Sequence, residues 1–355
     1  MTFGDRPRDW SPSGKLSNRV PRVPRVHRAP HVLAAGAFLL AGAASGPLQA
    51  QGGGATAWPT KPLRIIVGFL PGGGSDLIAR TIGQRLSDRL GQPLLVDNRP
   101  GAGGSIGTEI AVRATPDGYT LLLGSTSGIA INPWVYTLAY DPVRDLLPVA
   151  MVASTPMVAV VTPSLPAKTL GELVELARAK PKQLNYASVG IGTILHLAGE
   201  LFRMHTGTDL VHVPYEGSPP ALADVATGQV QLMFATVPAA MPMVKANRVR
   251  PLAVSAIRRN PTLPDVPTVV ESGVPGYPVE HWYALFAPSG VAAPVVSRLQ
   301  SEVQAIVKTP DYGASLLAQG FDAPAIAPKE LPALVKSEAG RWGKAVKVSG
   351  AKVEQ

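Results

Sequence analysis

Where this chain could do chemistry, it offers glycine instead of charged side chains. Residues 67–76 read VGFLPGGGSD; the apolar run Leu63-Arg64-Ile65-Ile66-Val67 leads in and a helical pattern from Asp76 leads out. A second junction, Tyr186-Ala187-Ser188-Val189-Gly190-Ile191-Gly192-Thr193, has the same form and opens a helix that carries His196. At the start of a helix several backbone N–H groups lack an internal partner, and the helix dipole adds about half a positive charge there. Glycine lets a ligand approach that backbone closely, so a carboxylate fits without lysine or arginine. Hydrogen bonds to a charged group contribute about 1.5–3 kcal/mol each, and a few reach the roughly −8 kcal/mol of micromolar binding. Two such helix starts facing one another would clamp both ends of a dicarboxylate. The bland alternative for either loop alone is a tight turn.

Other chemistries find less support. Gly72-Gly73-Gly74-Ser75-Asp76 lacks the Gly-Lys-Ser/Thr ending of a phosphate loop, and Gly101-Ala102-Gly103-Gly104-Ser105-Ile106-Gly107 places its last glycine one residue too far for a dinucleotide fingerprint. Gly124-Ser125-Thr126-Ser127-Gly128 resembles a nucleophile elbow, but its central residue is Thr126. The six histidines, His27, His31, His196, His205, His212 and His281, show no metal-ligand spacing, so no metal or cofactor is expected. His196 reads as a packed or N–H-bonded helix histidine before a catalytic one. Asp76 reads as a helix N-cap or first-turn acid before a general base, and Trp282 and Tyr283 as core or cleft wall. A hydrolase using Ser75 or Ser127 stays as a remote alternative without a His–acid partner.

Composition bounds the rest. Of 355 residues, 46% are hydrophobic and 16% charged, the balance of a globular chain; cysteine is absent, which excludes disulfides and thiolate chemistry. Residues 1–30 hold seven basic residues against Asp5 and Asp9, and Val32–Ala44 is an apolar run too short to span a bilayer. With small residues and Leu48-Gln49-Ala50 following, residues 1–50 are expected to be a signal peptide cleaved near Ala50, sending the remainder to the periplasm. That leader supplies +5 of the net +9, leaving about +4 elsewhere. No basic cluster with interleaved aromatics appears, so nucleic-acid binding is not expected.

The elements that must position the junctions follow from periodicity. Strands are expected at 63–69, 93–98, 119–126, 157–162, 184–188, 210–214, 230–235, 250–255 and 282–287. Ile78, Ile82, Leu86 and Leu90 repeat every four residues, Thr169 opens a capping box with Glu172, Thr193 caps the helix from Ile194, and Pro294 starts another with Val296, Leu299, Val303 and Ile306 inward. This alternation predicts an α/β fold with largely parallel sheets. The Pro-rich stretches 162–166 and 260–267 are either crossings between two lobes or surface loops.

The segments WPTKPLRIIVGFLPGGGSD, VDNRPGAGGSIGTE, PDGYTLLLGS, AINPWVY, LNYASVGIGTILHLAGELF, VHVPYEGSPPALADVATGQVQLMF, RPLAVSA and LPDVPTVVESG together resemble the extracytoplasmic solute receptors of the tripartite tricarboxylate transporter group, the Bug family. The resemblance runs from about Trp58 to about Val346. It implies a two-lobed periplasmic binding protein of the type II, Venus-flytrap class, with residues 58–162 and 282–355 in one lobe and 163–281 in the other; a monomer is expected. It implies a receptor, not an enzyme, that passes a small carboxylate to membrane permease subunits; a sensor kinase is the alternative partner. Carried over by motif, ligand contacts are expected from Phe69, Pro71, Gly72, Gly73, Gly74, Ser75 and Asp76, from Ser188, Gly190, Gly192, Thr193 and His196, and from Thr126 and Ser127 beside the first loop. The chain departs from the family pattern at Leu70 (often Pro), Ile191 (often Asn) and Ala235 (usually Asp). Loss of the last acid favours a plain or aromatic acid over an amino acid.

Overall fold

A computed structural model describes residues 58–274, 279–324 and 326–351; the expected signal peptide lies outside the described residues. The elements are, in chain order, β1 (Leu63–Val67), α1 (Gly74–Leu90), β2 (Leu94–Asn98), α2 (Ser105–Val112), β3 (Thr120–Ser125), a π-helical turn (Thr126–Ile131), α3 (Asn132–Val135), β4 (Leu146–Val161), α4 (Leu170–Ala179), β5 (Asn185–Ser188), α5 (Ile194–Thr206), β6 (Val211–Pro214), α6 (Ser218–Thr227), β7 (Leu232–Thr236), α7 (Val237–Lys245), β8 (Arg250–Val254), β9 (Glu280–Pro288), α8 (Ala293–Val307), α9 (Pro310–Ala318) and α10 (Leu331–Ser349).

All nine expected strands form, but the parallel expectation needs correction. The order β2-β1-β3-β9-β4-β7-β5-β6, with β8 also on β4, contains parallel pairs only at β1–β2, β1–β3, β5–β6 and β5–β7. The four pairings made by β9 and β4 are antiparallel. β4 begins eleven residues earlier than its pattern suggested, and that added length contains Pro148 and Pro156. Pro148 sits beside a shift of register at 148–150, and Pro156 ends the pairing with β9 opposite Glu280. Proline is tolerated at such interruptions because no ladder N–H is needed there. β4 therefore serves two sheets: residues 146–156 pair with β9, and 157–161 with β7 and β8. The Pro-rich stretch after it folds onto the flank of the second sheet, where Pro163, Leu165 and Ala167 carbonyls accept from Arg250.

Local signals explain the helices nearest the junctions. Ile78, Ile82, Leu86 and Leu90 are buried along one face of α1, which stops at Gly91 in a left-handed conformation (φ 67°). Thr169 Oγ1 accepts from Glu172 N at 3.1 Å and starts α4; the Glu172 carboxylate reaches back to Lys168 N at 2.7 Å. Successive residues of β1 face opposite sides, as a strand requires. Ile65 and Val67 join Ile78, Ile82, Leu299 and Val303 in one core, while Ile66 joins Leu122 and Ile129 in a second that continues through the other sheet to Phe202 and Phe234. α10 packs on the π-helical turn, on α3 and on α5, touching elements of both sheets. Among the described residues no helix is long and apolar enough to cross a membrane.

Candidate functional site

The first junction is braced by Asp76. Its carboxylate, buried in the first turn of α1, accepts from Gly72 N at 3.0 Å, from Arg80 Nε and Nη2 at 3.0 and 2.9 Å, and from Asn98 Nδ2 at 3.1 Å. Burial alone would raise its pKa; the hydrogen bonds from Arg80, Gly72 and Asn98 and the Arg80 charge outweigh it and hold the carboxyl below its usual range. Asn98 also donates to Phe69 O at 3.0 Å, so the loop is tied to β2 at both ends. Gly72 takes φ 85°, the left-handed region that glycine tolerates. Beyond it, the N–H groups of Gly74 and Ser75, the first two of α1, find no acceptor among the described residues.

The second junction spends most of its donors internally. Gly190 N donates to Ser188 Oγ (3.2 Å), Gly192 N to His196 Nδ1 (3.1 Å) and His196 N to Thr193 Oγ1 (3.4 Å), while Thr193 Oγ1 donates to Gly190 O (2.8 Å). Accepting at Nδ1 requires a neutral His196 ring in the Nε2–H form. Burial pushes its pKa down to about 4, against the pull of Glu200. The ring stacks on His212 with centroids 4.0 Å apart, and His212 Nε2 lies 2.7 Å from Ser188 Oγ. His212, lowered to about 3 by burial and by its neighbours His196 and Arg203, is neutral as well. Tyr186 donates to Glu200, which pairs with Arg203 at 2.9 Å. Ser188, Gly190, Gly192, Thr193 and His196 thus form one hydrogen-bonded network.

Two bonds carry the first sheet's side of the molecule to the second junction. Ser127 Oγ, in the π-helical turn, accepts from Ile194 N at 3.0 Å, and Tyr136 Oη donates to Ile191 O at 2.6 Å. Thr126 Oγ1 accepts from Trp282 N at 3.0 Å and fixes the same turn to β9.

Between the two sides lies a small, partly open hollow of about 30 Å³. Of the residues expected from sequence, Phe69, Gly73, Gly74, Ser75 and Ser127 line it. Pro71, Gly72, Asp76, Thr126, Ser188, Gly190, Gly192, Thr193 and His196 are not in that lining; Gly190 borders a neighbouring hollow with Phe69, Gly103, Tyr136 and Ile191. Sequence reasoning missed the rest of the wall. Leu70, Val189 and Leu195 are apolar contributors, and Gly217 and Ser218 come from the start of α6. Thr236 ends β7 at the position just before α7, and His281 and Tyr283 stand on β9. Thr236 belongs to another strand–helix junction, a signal that could have been followed; His281 had none. No lysine, arginine, aspartate or glutamate is in the lining. Neither Ser75 nor Ser127 has a histidine partner among its hydrogen bonds, and among the described residues no cluster could hold a metal.

A hollow without charged side chains at the N-terminus of a helix can bind an anion but offers no nucleophile–base pair. The family model described as "Tripartite tricarboxylate transporter family receptor" matches residues 78–351. A Pseudomonas sp. strain P51 protein from the tcbD-tcbE intergenic region is 39% identical over 292 residues, 82% of this chain and 87% of its own. Among solved structures, the R. palustris protein Rpa4515 with adipate is 37% identical with a TM-score of 0.81, covering 83% of this chain and all of that one. MatC from Rhodopseudomonas palustris with bound malate is 32% identical with a TM-score of 0.77, covering 81% of this chain and all of that one. The likeness fits the two-sheet α/β architecture of a two-lobed periplasmic binding protein, and substrate capture, not catalysis, is what such receptors do. The chain belongs to the tripartite tricarboxylate transporter receptor family, of which the Bug proteins are members.

Proposed function

We propose that this receptor captures a small carboxylate in the cavity between its two lobes and delivers it to the permease subunits of a tripartite tricarboxylate-type transporter. The observation that carries the reading is the pair of unpartnered amides, Gly74 N and Ser75 N, at a cavity without charged side chains. Such amides are costly to leave unmet and gain about 1.5–3 kcal/mol each from a charged acceptor. Relatives of more than 30% identity hold adipate and malate, which supports an acid as the ligand. In this reading Phe69, Gly73, Gly74, Ser75 and Ser127 touch the ligand. Pro71, Gly72, Asp76 and Thr126 shape the first loop and its neighbouring turn. Ser188, Gly190, Gly192, Thr193 and His196 hold the second loop in place. In this reading the lobes comprise residues 58–162 with 282–355, and 163–281; the change of sheet within β4, at Pro156–Met157, falls about six residues ahead of the first of these boundaries. The leader is removed near Ala50 and the receptor acts in the periplasm.

A thermal-shift screen against mono-, di- and tricarboxylic acids and amino acids tests this. A ligand at about 100 times its Kd adds about 2.7 kcal/mol of stability, so a raised melting temperature for one class of acid is expected. A chain that no carboxylate stabilises would overturn the reading.

A further inference from the structure

Six buried side-chain polar atoms among the described residues have no hydrogen-bond partner, and two of them, Thr236 Oγ1 and His281 Nδ1, are on residues that line the cavity. Both residues are almost fully enclosed, at 4% and 3% exposure. A buried polar group left unpaired is unfavourable, and proteins retain few of them. Thr236 does not cap α7 with its side chain, so helix capping does not account for the hydroxyl. It lies beside the unpartnered amides: a Cβ built on Gly74 would come within 2.9 Å of Thr236 Oγ1 and 2.7 Å of Tyr283 Oη. The His281 ring stands edge-on to that of Tyr283, with centroids 4.5 Å apart.

We propose that Thr236 and His281 are direct ligand contacts which complete the carboxylate pocket begun by Gly74 N and Ser75 N, and that the ligand is an acid with an apolar body and no ammonium group. The proposal rests on the carboxylate reading above. The Thr236 hydroxyl and, in its Nδ1–H tautomer, the His281 ring donate to carboxylate oxygens. Burial keeps His281 neutral, with a pKa lowered to about 3, so the anion is held by dipoles and not by an ion pair. An ammonium group would be desolvated without an anionic partner, because no carboxylate lines the cavity. Phe69, Leu70, Val189 and Leu195 supply apolar wall for a hydrocarbon chain or ring.

The test uses three matched pairs in titration calorimetry: hexanoate and norleucine, phenylacetate and phenylglycine, adipate and 2-aminoadipate. At least one plain acid is expected to bind, its amino counterpart at least about 100-fold more weakly, a difference of about 2.7 kcal/mol. Thr236→Val and His281→Phe should each weaken that acid about tenfold or more, while the ligand-free melting temperature stays level or rises, since each removes an unpaired polar atom. Thr236→Ser, which restores the hydroxyl, should bind like wild type. Equal binding by amino and plain acids overturns the ligand class. Unchanged affinity in both variants, or a lowered ligand-free melting temperature that accounts for the loss, overturns the residue assignment. If none of the six acids binds, the proposal fails, and the wider acid screen decides separately whether the cleft reading stands.

Discussion

Replacing Asp76 by asparagine isolates what the brace of the first loop contributes. In the wild type, Oδ2 accepts from Gly72 N and Arg80 Nε, and Oδ1 accepts from Arg80 Nη2 and Asn98 Nδ2. An asparagine keeps one oxygen for Gly72 but turns an NH2 toward two donors. Asn98 cannot simply flip to compensate, because its amide also holds Phe69 O. A hydrogen bond to a charged group is worth about 1.5–3 kcal/mol. The Arg80 share is discounted because that side chain is 54% exposed and can turn to water. The expected destabilisation is therefore about 2–3 kcal/mol, read from urea unfolding at pH 7. Loosening Gly72 also disturbs the amides that follow, so carboxylate affinity should fall about tenfold, or ~1.4 kcal/mol. The sign with pH is fixed by the lowered folded pKa. The carboxylate's contribution is complete above its unfolded value near 3.8 and is lost as pH falls through the folded value. The gap between wild type and D76N should thus hold from pH 7 to 5 and close below about pH 3.8. A gap that is absent at pH 7, or that stays constant down to pH 3, would refute the brace.

Three further outcomes are expected. His196, His212 and His281 are held neutral, with pKa values lowered from 6.5 to about 4, 3 and 3. The unfolded chain therefore binds more protons than the folded one below pH 6.5, and stability should fall by up to ~1.4 kcal/mol per pH unit for each histidine down to about pH 4; urea midpoints that do not change between pH 7 and 5 would contradict this. Gly74→Ala places a Cβ within 2.7 Å of Tyr283 Oη and 2.9 Å of Thr236 Oγ1, so it should cost about 1–3 kcal/mol and abolish acid binding while circular dichroism retains the helices. Tyr136→Phe deletes the 2.6 Å bond to Ile191 O and should raise Kd by about two- to tenfold, corresponding to roughly 0.5–1.5 kcal/mol, in calorimetric titration.

The strands and the helices that open the junctions were legible because each had its own local signal, such as the four-residue repeat of α1 or the Thr169 and Thr193 caps. The first half of β4 was not, because prolines mask a strand whose neighbour, β9, lies more than 100 residues away in sequence. The antiparallel centre of the molecule went unseen for the same reason. At the site, periodicity and glycine found the backbone donors of α1. They did not reveal that the second loop consumes its own, since Gly192 N meets His196 Nδ1 only once the helix is built. Thr236 and His281 reach the cavity from β7 and β9, strands of different sheets, and only tertiary structure brings them to the hollow that Gly74 lines.

The double membership of β4 has a mechanical consequence. At ~3.3 Å per residue, its sixteen residues form a rod on the order of 50 Å long. Both sheets are riveted to it, and near its middle Ser154 exchanges backbone hydrogen bonds with Asp322 at 2.7 and 3.1 Å. Sliding one sheet along this rod by a residue would turn every apolar side chain on it to the opposite face. Relative motion of the sheets is thereby confined to torsion and bending of a shared axle. The compliance of that axle concentrates where its ladders are interrupted, at 148–150 and 151–153 on one side and 159–160 on the other. Stiffness at these three points, remote in sequence from every glycine of the pocket, would set how far the two halves can swing.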